Sequence, residues 1–306
     1  MNPAFLVWFN CAMNNTKFCL LIGNEGSFSE FIHNYLLEDG YSITSIFLKP
    51  DSINLELICA SIESELNSNK ITSVIYIGGE VRNINRMDFL NFSIPKHIAL
   101  FCLKYKVEFI YLSSLAALGN FYKGLISPLS LIKKRPFNEY GKTKQNFDSW
   151  IEGIPEIYSL TKAIYPASIL GRSHNKSSLQ KMINIFKKYP ILRHLNFKTI
   201  ITFCDRSEID FAISNALHSS DKHKIVVSHN LQLSTLRSFL YPGLTTINLP
   251  SFIYLLDIFI FFLPRKIRIF LISSCGEAIY SDNSSKGLLS IEQLSEICIK
   301  YKINIH

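Results

Sequence analysis

The chain has 306 residues, enough for one large domain, or a large and a small one, around a substantial buried core. Hydrophobic residues make up 48% and charged residues 18%, which excludes an intrinsically disordered chain. The net charge of +8 is scattered, with small clusters only at Lys133-Lys134-Arg135 and Lys187-Lys188. Nucleic acid, which requires a concentrated basic stripe, is therefore not an expected partner.

The opening run Ala4–Phe9 is apolar but short and lacks a basic flank, so residues 1–16 read as an extension before the first strand. Lys17–Gly23 is a continuous apolar run ending at glycine, the pattern of a buried parallel strand. Ser27 and Glu30 have capping-box spacing, and Phe31, Ile32, Tyr35 and Leu36 give a helical apolar face that Gly40 ends. Ile43–Leu48 reads as a second strand, residues 55–65 as a helix and Val74–Ile77 as a third strand before Gly78-Gly79. Residues 91–105 read as a helix, and Phe109–Leu112 as a strand ending at Ser113-Ser114.

Strands alternating with helices imply βαβ units and a parallel sheet, with ligands bound beyond the carboxyl ends of the strands. The glycine turn at 23–26, Gly78-Gly79 and Ser113-Ser114 then converge on one sheet edge. Beyond residue 170 the pattern loosens. Helices are predicted over 177–188, Ile209–Leu217 and Ser290–Tyr301, and strands over Thr199–Phe203 and Ile225–Val227. Phe252–Leu263 is strongly apolar, but Asp257 interrupts it and Pro264 ends it. Its length falls short of the ~20 residues that span a bilayer. A buried helix is the plain reading, and a membrane-surface or dimer-contact helix the sharper one.

The seven cysteines include no C-x-x-C pair and sit mostly in apolar stretches. They read as reduced thiols of a cytoplasmic protein, not as a disulfide framework or zinc site. His33, His97, His194, His218 and His223 have no metal-ligand spacing, and no metal is expected.

Two motifs carry chemistry. In Gly23-Asn24-Glu25-Gly26-Ser27-Phe28-Ser29, glycines between strand and helix let the backbone approach a pyrophosphate at a helix N-terminus. Serine stands in the third glycine's place, and Glu25 must point away from any phosphate. Tyr140-Gly141-Lys142-Thr143-Lys144 places a phenol and an ammonium one helical turn apart. The cation favours phenolate and makes the tyrosine a usable general acid or base. A serine hydroxyl at Ser113-Ser114, 26 residues before Tyr140 at the end of a strand, can orient the reacting oxygen.

Together these segments resemble the extended short-chain dehydrogenase/reductase superfamily, in particular the nucleotide-sugar epimerase/dehydratase group. Val74–Gly79 resembles its third strand and the segment beside the cofactor, and Asn91 the helix asparagine that supports the active-site lysine through water. Phe109–Gly119 resembles the strand carrying the catalytic serine, with Ser114 rather than Ser113 in register. Tyr165–Gly171 resembles the segment lining the nicotinamide, and Thr202–Asp205 with Ile209–Leu217 the return from the substrate lobe.

The resemblance implies a Rossmann-type doubly wound parallel α/β fold with a smaller C-terminal substrate lobe. The dinucleotide domain would span residues 17–170 and a mixed lobe 171–306. It implies Ser114, Tyr140 and Lys144 as catalytic residues. NAD or NADP would be held by Gly23, Gly26, Ser27, Phe28, Gly78, Gly79, Asn91, Tyr140, Lys144, Pro166 and Ser168. Ser114, Arg172 and His174 would meet a nucleotide-sugar substrate. The implied activity is a 4-keto-sugar reductase or 4-epimerase of surface-polysaccharide synthesis, in a chain that pairs as a homodimer. Leu115-Ala116 stands where a dehydratase needs an acidic pair, so dehydration is not expected. No carboxylate ends the second strand, where Phe47-Leu48-Lys49 stands, which leaves NAD or NADP open. The altered glycine turn keeps a second class in view: a non-catalytic cofactor-sensing or assembly protein of the same fold.

Overall fold

The computed structural model describes residues 17–49, 54–68, 70–119, 123–126, 136, 138–170, 178–196, 200–248, 277–280 and 287–305. The expected extension at 1–16, the basic cluster at 133–135, Arg172, His174 and the apolar run at 252–263 lie outside them.

In the first half, strands and helices alternate as β1 (Phe18–Asn24), α1 (Ser27–Glu38), β2 (Ser42–Leu48), α2 (Leu55–Ser68), β3 (Ile71–Tyr76), α3 (Ile84–Asp88), α4 (Ile94–Tyr105) and β4 (Glu108–Leu112). A short strand β5 (Lys123–Ile126), helices α5 (Glu139–Glu152) and α6 (Pro155–Leu160), and strand β6 (Thr161–Pro166) follow. The rest comprises β7 (Ser168–Ile169), α7 (Ser178–Lys188), β8 (Leu195–Asn196), β9 (Ile200–Cys204), α8 (Arg206–Ala216), β10 (His223–Val226) and β11 (His229–Gln232). It ends with α9 (Leu233–Leu240), β12 (Ile247–Asn248), β13 (Glu277–Tyr280) and α10 (Ile291–Lys300).

Six strands form one sheet in the order β10-β6-β4-β3-β1-β2. The pairs β1–β2, β1–β3, β3–β4 and β4–β6 are all parallel. The order reverses at β1, and such a switch point opens a crevice at the carboxyl edge. The parallel sheet follows the alternation of runs, and the strand order is that of the Rossmann-type α/β architecture the resemblance implies. The strands are near-continuous apolar segments because both faces of a parallel sheet are covered; Leu20, Ile22, Val74, Tyr76, Phe109 and Tyr111 lie in its core.

By packing, the chain divides into two compact units. The first holds residues up to 113, 143–164 and 210–223, around the core just described. The second holds 114–142, 165–209 and 224 onward. Its core gathers Leu179, Ile183 and Phe186 of α7, Leu233 and Leu236 of α9, and Leu294 and Ile297 of α10. A three-stranded sheet, β11-β9-β7, lies in this second unit. No described helix is long and apolar enough to cross a membrane.

Two expectations need correction. The Ser27/Glu30 capping box does not form. Gly26, at φ 142°, is the N-cap of α1 and contributes no side-chain hydrogen bond, while its carbonyl receives the N–H groups of Ser29 and Glu30. The helix expected to begin at residue 91 begins at Ile84, capped by the Asn83 side chain. Between α3 and α4 the chain makes a π-helical turn, Phe89–Ser93. There Ile94 N–H reaches back to Phe89 O, and the next bond in that register would need an N–H from Pro95, which has none. The Tyr76 hydroxyl donates to Leu90 O instead, at 2.6 Å.

Candidate active site

In the first unit, the ends of β1 and β3, the π-helical turn and α5 meet in one linked cluster. Gly23 ends the buried part of β1. A Cβ there would lie 2.6 Å from Ile77 Cγ1 and 2.7 Å from Ser29 Oγ. Ser29 is buried and donates to Asn24 O at 2.6 Å. The serine in the third glycine's place therefore fills the gap that Gly23 leaves, and keeps helix and strand close. A Cβ on Gly26 would meet nothing within 4 Å, so its positive φ, not crowding, demands glycine. Ser27 is exposed and Phe28 half-buried, both in the first turn of α1. Glu25 is exposed, as a phosphate-binding turn requires, and its N–H is tied to Leu48 O. Leu48, the last residue of β2, is buried, and Lys49 after it is exposed.

The Asn24 amide donates to Gly79 O at 2.7 Å and so joins the ends of β1 and β3. A Cβ on Gly79 would stand 3.0 Å from Asn91 Oδ1 and 3.4 Å from Lys144 Nζ. Asn91 is fully buried: its Oδ1 accepts from Glu80 N at 3.0 Å, and its Nδ2 donates to Glu80 O and Thr143 Oγ1. The π-helical turn thus aims Asn91 at the β3 loop and at the helix carrying Lys144, a use of π-turns common at functional sites.

Lys144 is 2% exposed. Its Nζ donates to Leu112 O at 2.9 Å and to Gly78 O at 3.4 Å, and lies 4.6 Å from the centre of the Tyr111 ring. Burial pushes its ammonium down to about 7, and the Asp148 carboxylate opposes that shift. Ser113 is buried, and its Oγ donates to both Asp148 oxygens at 3.2 Å.

In the second unit, Ser114 is half-buried and its Oγ accepts from Ala116 N at 3.2 Å, capping the short 3-10 turn Leu115–Leu118. Helix α5 starts at Glu139, where the Asn138 carbonyl oxygen and side chain receive the N–H groups of Lys142 and Gly141. Tyr140 is half-buried in this first turn. Gly141 packs against the 3-10 turn so closely that a Cβ would sit 2.4 Å from Ala116 O. The segment after Ser114 and the start of the Tyr140 helix are therefore in contact. Pro166 is buried at the end of β6 and Ser168 is exposed in β7. Lys144 follows Tyr140 by one turn of the same helix, and Ser114 follows Ser113 directly.

Sequence reasoning misses Asn24, Tyr111, Ser113, Asp148 and Asn138. For Asp148 a signal exists: it stands four residues after Lys144, in register on one helix face. Among the described residues, no group of His, Cys, Asp and Glu side chains has the arrangement of a metal site.

A parallel sheet with its order reversing at β1 and a glycine turn at its carboxyl edge are the features of a Rossmann-type α/β fold. No family model matches the chain. Over 111 residues it is 32% identical to the ADP-L-glycero-D-manno-heptose-6-epimerase of Fusobacterium nucleatum, a stretch covering 34% of this chain and 32% of that relative's length. Among solved structures it is similar to dTDP-4-dehydrorhamnose reductase from Bacillus anthracis in complex with NADP, with TM-score 0.61 and 12% identity over 94% of this chain and 100% of that one. The reductase of the same name from Yersinia enterocolitica gives TM-score 0.61 and 16% identity, over 93% and 99%.

Proposed function

We propose that the chain is an NAD(P)-dependent nucleotide-sugar oxidoreductase, a 4-keto-sugar reductase or 4-epimerase. One observation carries the reading. A fully buried lysine stands one helical turn after Tyr140, held by the carbonyls at the ends of β3 and β4. A lone lysine is costly to bury unless its charge is used. The heptose epimerase and the NADP-bound reductase support the substrate class and the cofactor.

In the reducing direction Tyr140 gives its phenolic proton to a keto oxygen, and Ser114 Oγ orients that oxygen by a hydrogen bond. Lys144 lowers the cost of leaving phenolate behind. The bound dinucleotide supplies the hydride. Gly23, Gly26, Ser27 and Phe28 would hold its pyrophosphate at the α1 N-terminus, where the positive φ of Gly26 leaves an open cradle. Gly78, Gly79, Asn91, Lys144, Pro166 and Ser168 would line its nicotinamide half. Among the described residues at the end of β2, Leu48 is buried, Lys49 is exposed and none is a carboxylate to meet a free 2′-hydroxyl, which favours NADP over NAD. Arg172 and His174 are retained as the proposed contacts to the sugar diphosphate. The enzyme would act in the cytoplasm, in surface-polysaccharide synthesis, as a homodimer.

The test is Tyr140→Phe, assayed by oxidation of reduced cofactor with 4-keto nucleotide sugars. Turnover should fall by about 10² or more, the usual worth of a general acid, with an unchanged fold by circular dichroism. Turnover equal to wild type would remove the assignment.

A further inference from the structure

Asp148 has no place in the reaction just described, yet it is a buried carboxylate, 4% exposed, inside the unit that holds Lys144. A carboxylate in that position is costly unless its charge is matched. Two features match it. Ser113 Oγ donates to both oxygens at 3.2 Å, and Lys144 lies one turn earlier on the same helix. We infer that Asp148, anchored by Ser113, is a positioning residue: it is the counter-charge that raises the affinity of Lys144 for its proton in the dry pocket. The inference rests on the reading of Lys144 as the group that tunes Tyr140, and extends it to the residues that tune Lys144.

The surroundings leave this task to Asp148. On β4, Tyr111 offers Lys144 the face of its ring, and the Leu112 carbonyl accepts from it. Tyr76 of β3 stacks on Tyr111 with ring centres 6.4 Å apart, and burial raises its phenol, which stays neutral. In the β3 loop, the Glu80 carboxylate is taken up by the N–H groups of Val81, Arg82 and Asn83. These dipoles and ring faces favour a cation, but none carries a full negative charge available to the pocket. Asp148 raises the affinity of Lys144 for its proton against the burial that lowers it. The same geometry explains the use of the two adjacent serines. Ser113 is committed to Asp148, while Ser114 remains at the edge with the hydroxyl the reaction needs.

The test is a direct titration of Lys144 by NMR in protein carrying lysine labelled at 13Cε, its signal assigned by its loss in Lys144→Met. It needs neither cofactor nor substrate. In Asp148→Asn the midpoint of Lys144 should fall by about one unit or more, a tenfold shift toward free amine at fixed pH. Asp148→Glu should restore it toward wild type, and Ser113→Ala should give a smaller fall in the same direction. An Asp148→Asn midpoint within about 0.3 unit of wild type, or above it, overturns the inference. If that variant does not fold, Ser113→Ala decides, and an unmoved midpoint there overturns it equally. A shifted midpoint in a protein whose wild type reduces no keto sugar would sink the proposed reaction and leave the role of Asp148 standing.

Discussion

Lys144→Met should change the stability of the folded chain relative to wild type by an amount that depends on pH. The lysine is 2% exposed, and burial brings its pKa from 10.5 to about 7. Between those values the unfolded chain holds a proton that the folded chain does not, so stability rises with pH across that window. The cost of the buried charge is complete below pH 7, where a shift of that size amounts to about 5 kcal/mol at ~1.36 kcal/mol per unit. It vanishes above the unfolded value. Methionine has similar volume and no charge, but it forfeits the bonds to Leu112 O and Gly78 O, worth about 1 kcal/mol each. Methionine also removes the cation that matches the buried Asp148, which subtracts further from the gain near pH 6.5; the advantage of Lys144→Met over wild type should still shrink by about 3 kcal/mol on going to pH 9.5. Urea unfolding of both proteins at the two pH values measures this, since groups the substitution leaves alone cancel in the difference. A difference that stays constant to within about 0.5 kcal/mol would refute the claim that burial strains the lysine.

Three further outcomes follow from the same geometry. Gly141→Ala places a methyl 2.4 Å from the Ala116 carbonyl oxygen, a backbone atom that cannot swing away; thermal unfolding should show a loss of about 1–3 kcal/mol, together with lower turnover as Tyr140 shifts from the serine segment. Gly26→Ala meets nothing within 4 Å, so its loss of about 1–3 kcal/mol must come from backbone strain at φ 142°; unchanged stability would mean that the turn relaxes without strain. Burial alone would raise the Asp205 carboxyl, but hydrogen bonds from His229 Nε2 at 3.0 Å and Lys300 Nζ at 2.9 Å prevail and hold it well below the usual range. Its contribution is present above the ordinary aspartate pKa of about 4 and is lost as pH falls through the lower folded value. Asp205→Asn should therefore cost about 1–3 kcal/mol at pH 7, with the gap to wild type narrowing in acid denaturation series below pH 4.

The sheet is legible in the sequence because parallel strands buried on both faces are bound to read as apolar runs, as Cys19–Ile22 and Val74–Ile77 do. Strand β6 is not read from the sequence, because Lys162 interrupts its apolar run. That lysine is buried but satisfied by Glu108 Oε1 and Ala216 O, each at 2.8 Å, and such long-range pairing leaves no local trace. The early start of the 84–105 helical stretch is hidden by Pro95, since proline normally marks a helix's first turn. Here a π-turn carries the chain through, and a tyrosine from another strand fills the vacated bond. At the candidate site, the Tyr140–Lys144 pair is read from its spacing and Ser114 from the register of the resemblance. Asp148 leaves only its four-residue spacing from Lys144, and Asn24 leaves no trace, because its bond depends on which loops the sheet brings together.

The glycine turn, with serine in the third place, must still hold a nicotinamide dinucleotide if the chain is an oxidoreductase. Calorimetric titration of the chain with NADPH and NADH tests this most directly. Saturable binding of NADPH is expected, tighter than that of NADH and weakened by Gly26→Ala. Absence of any heat of binding at millimolar cofactor would contradict the oxidoreductase reading and favour a non-catalytic protein on the same fold.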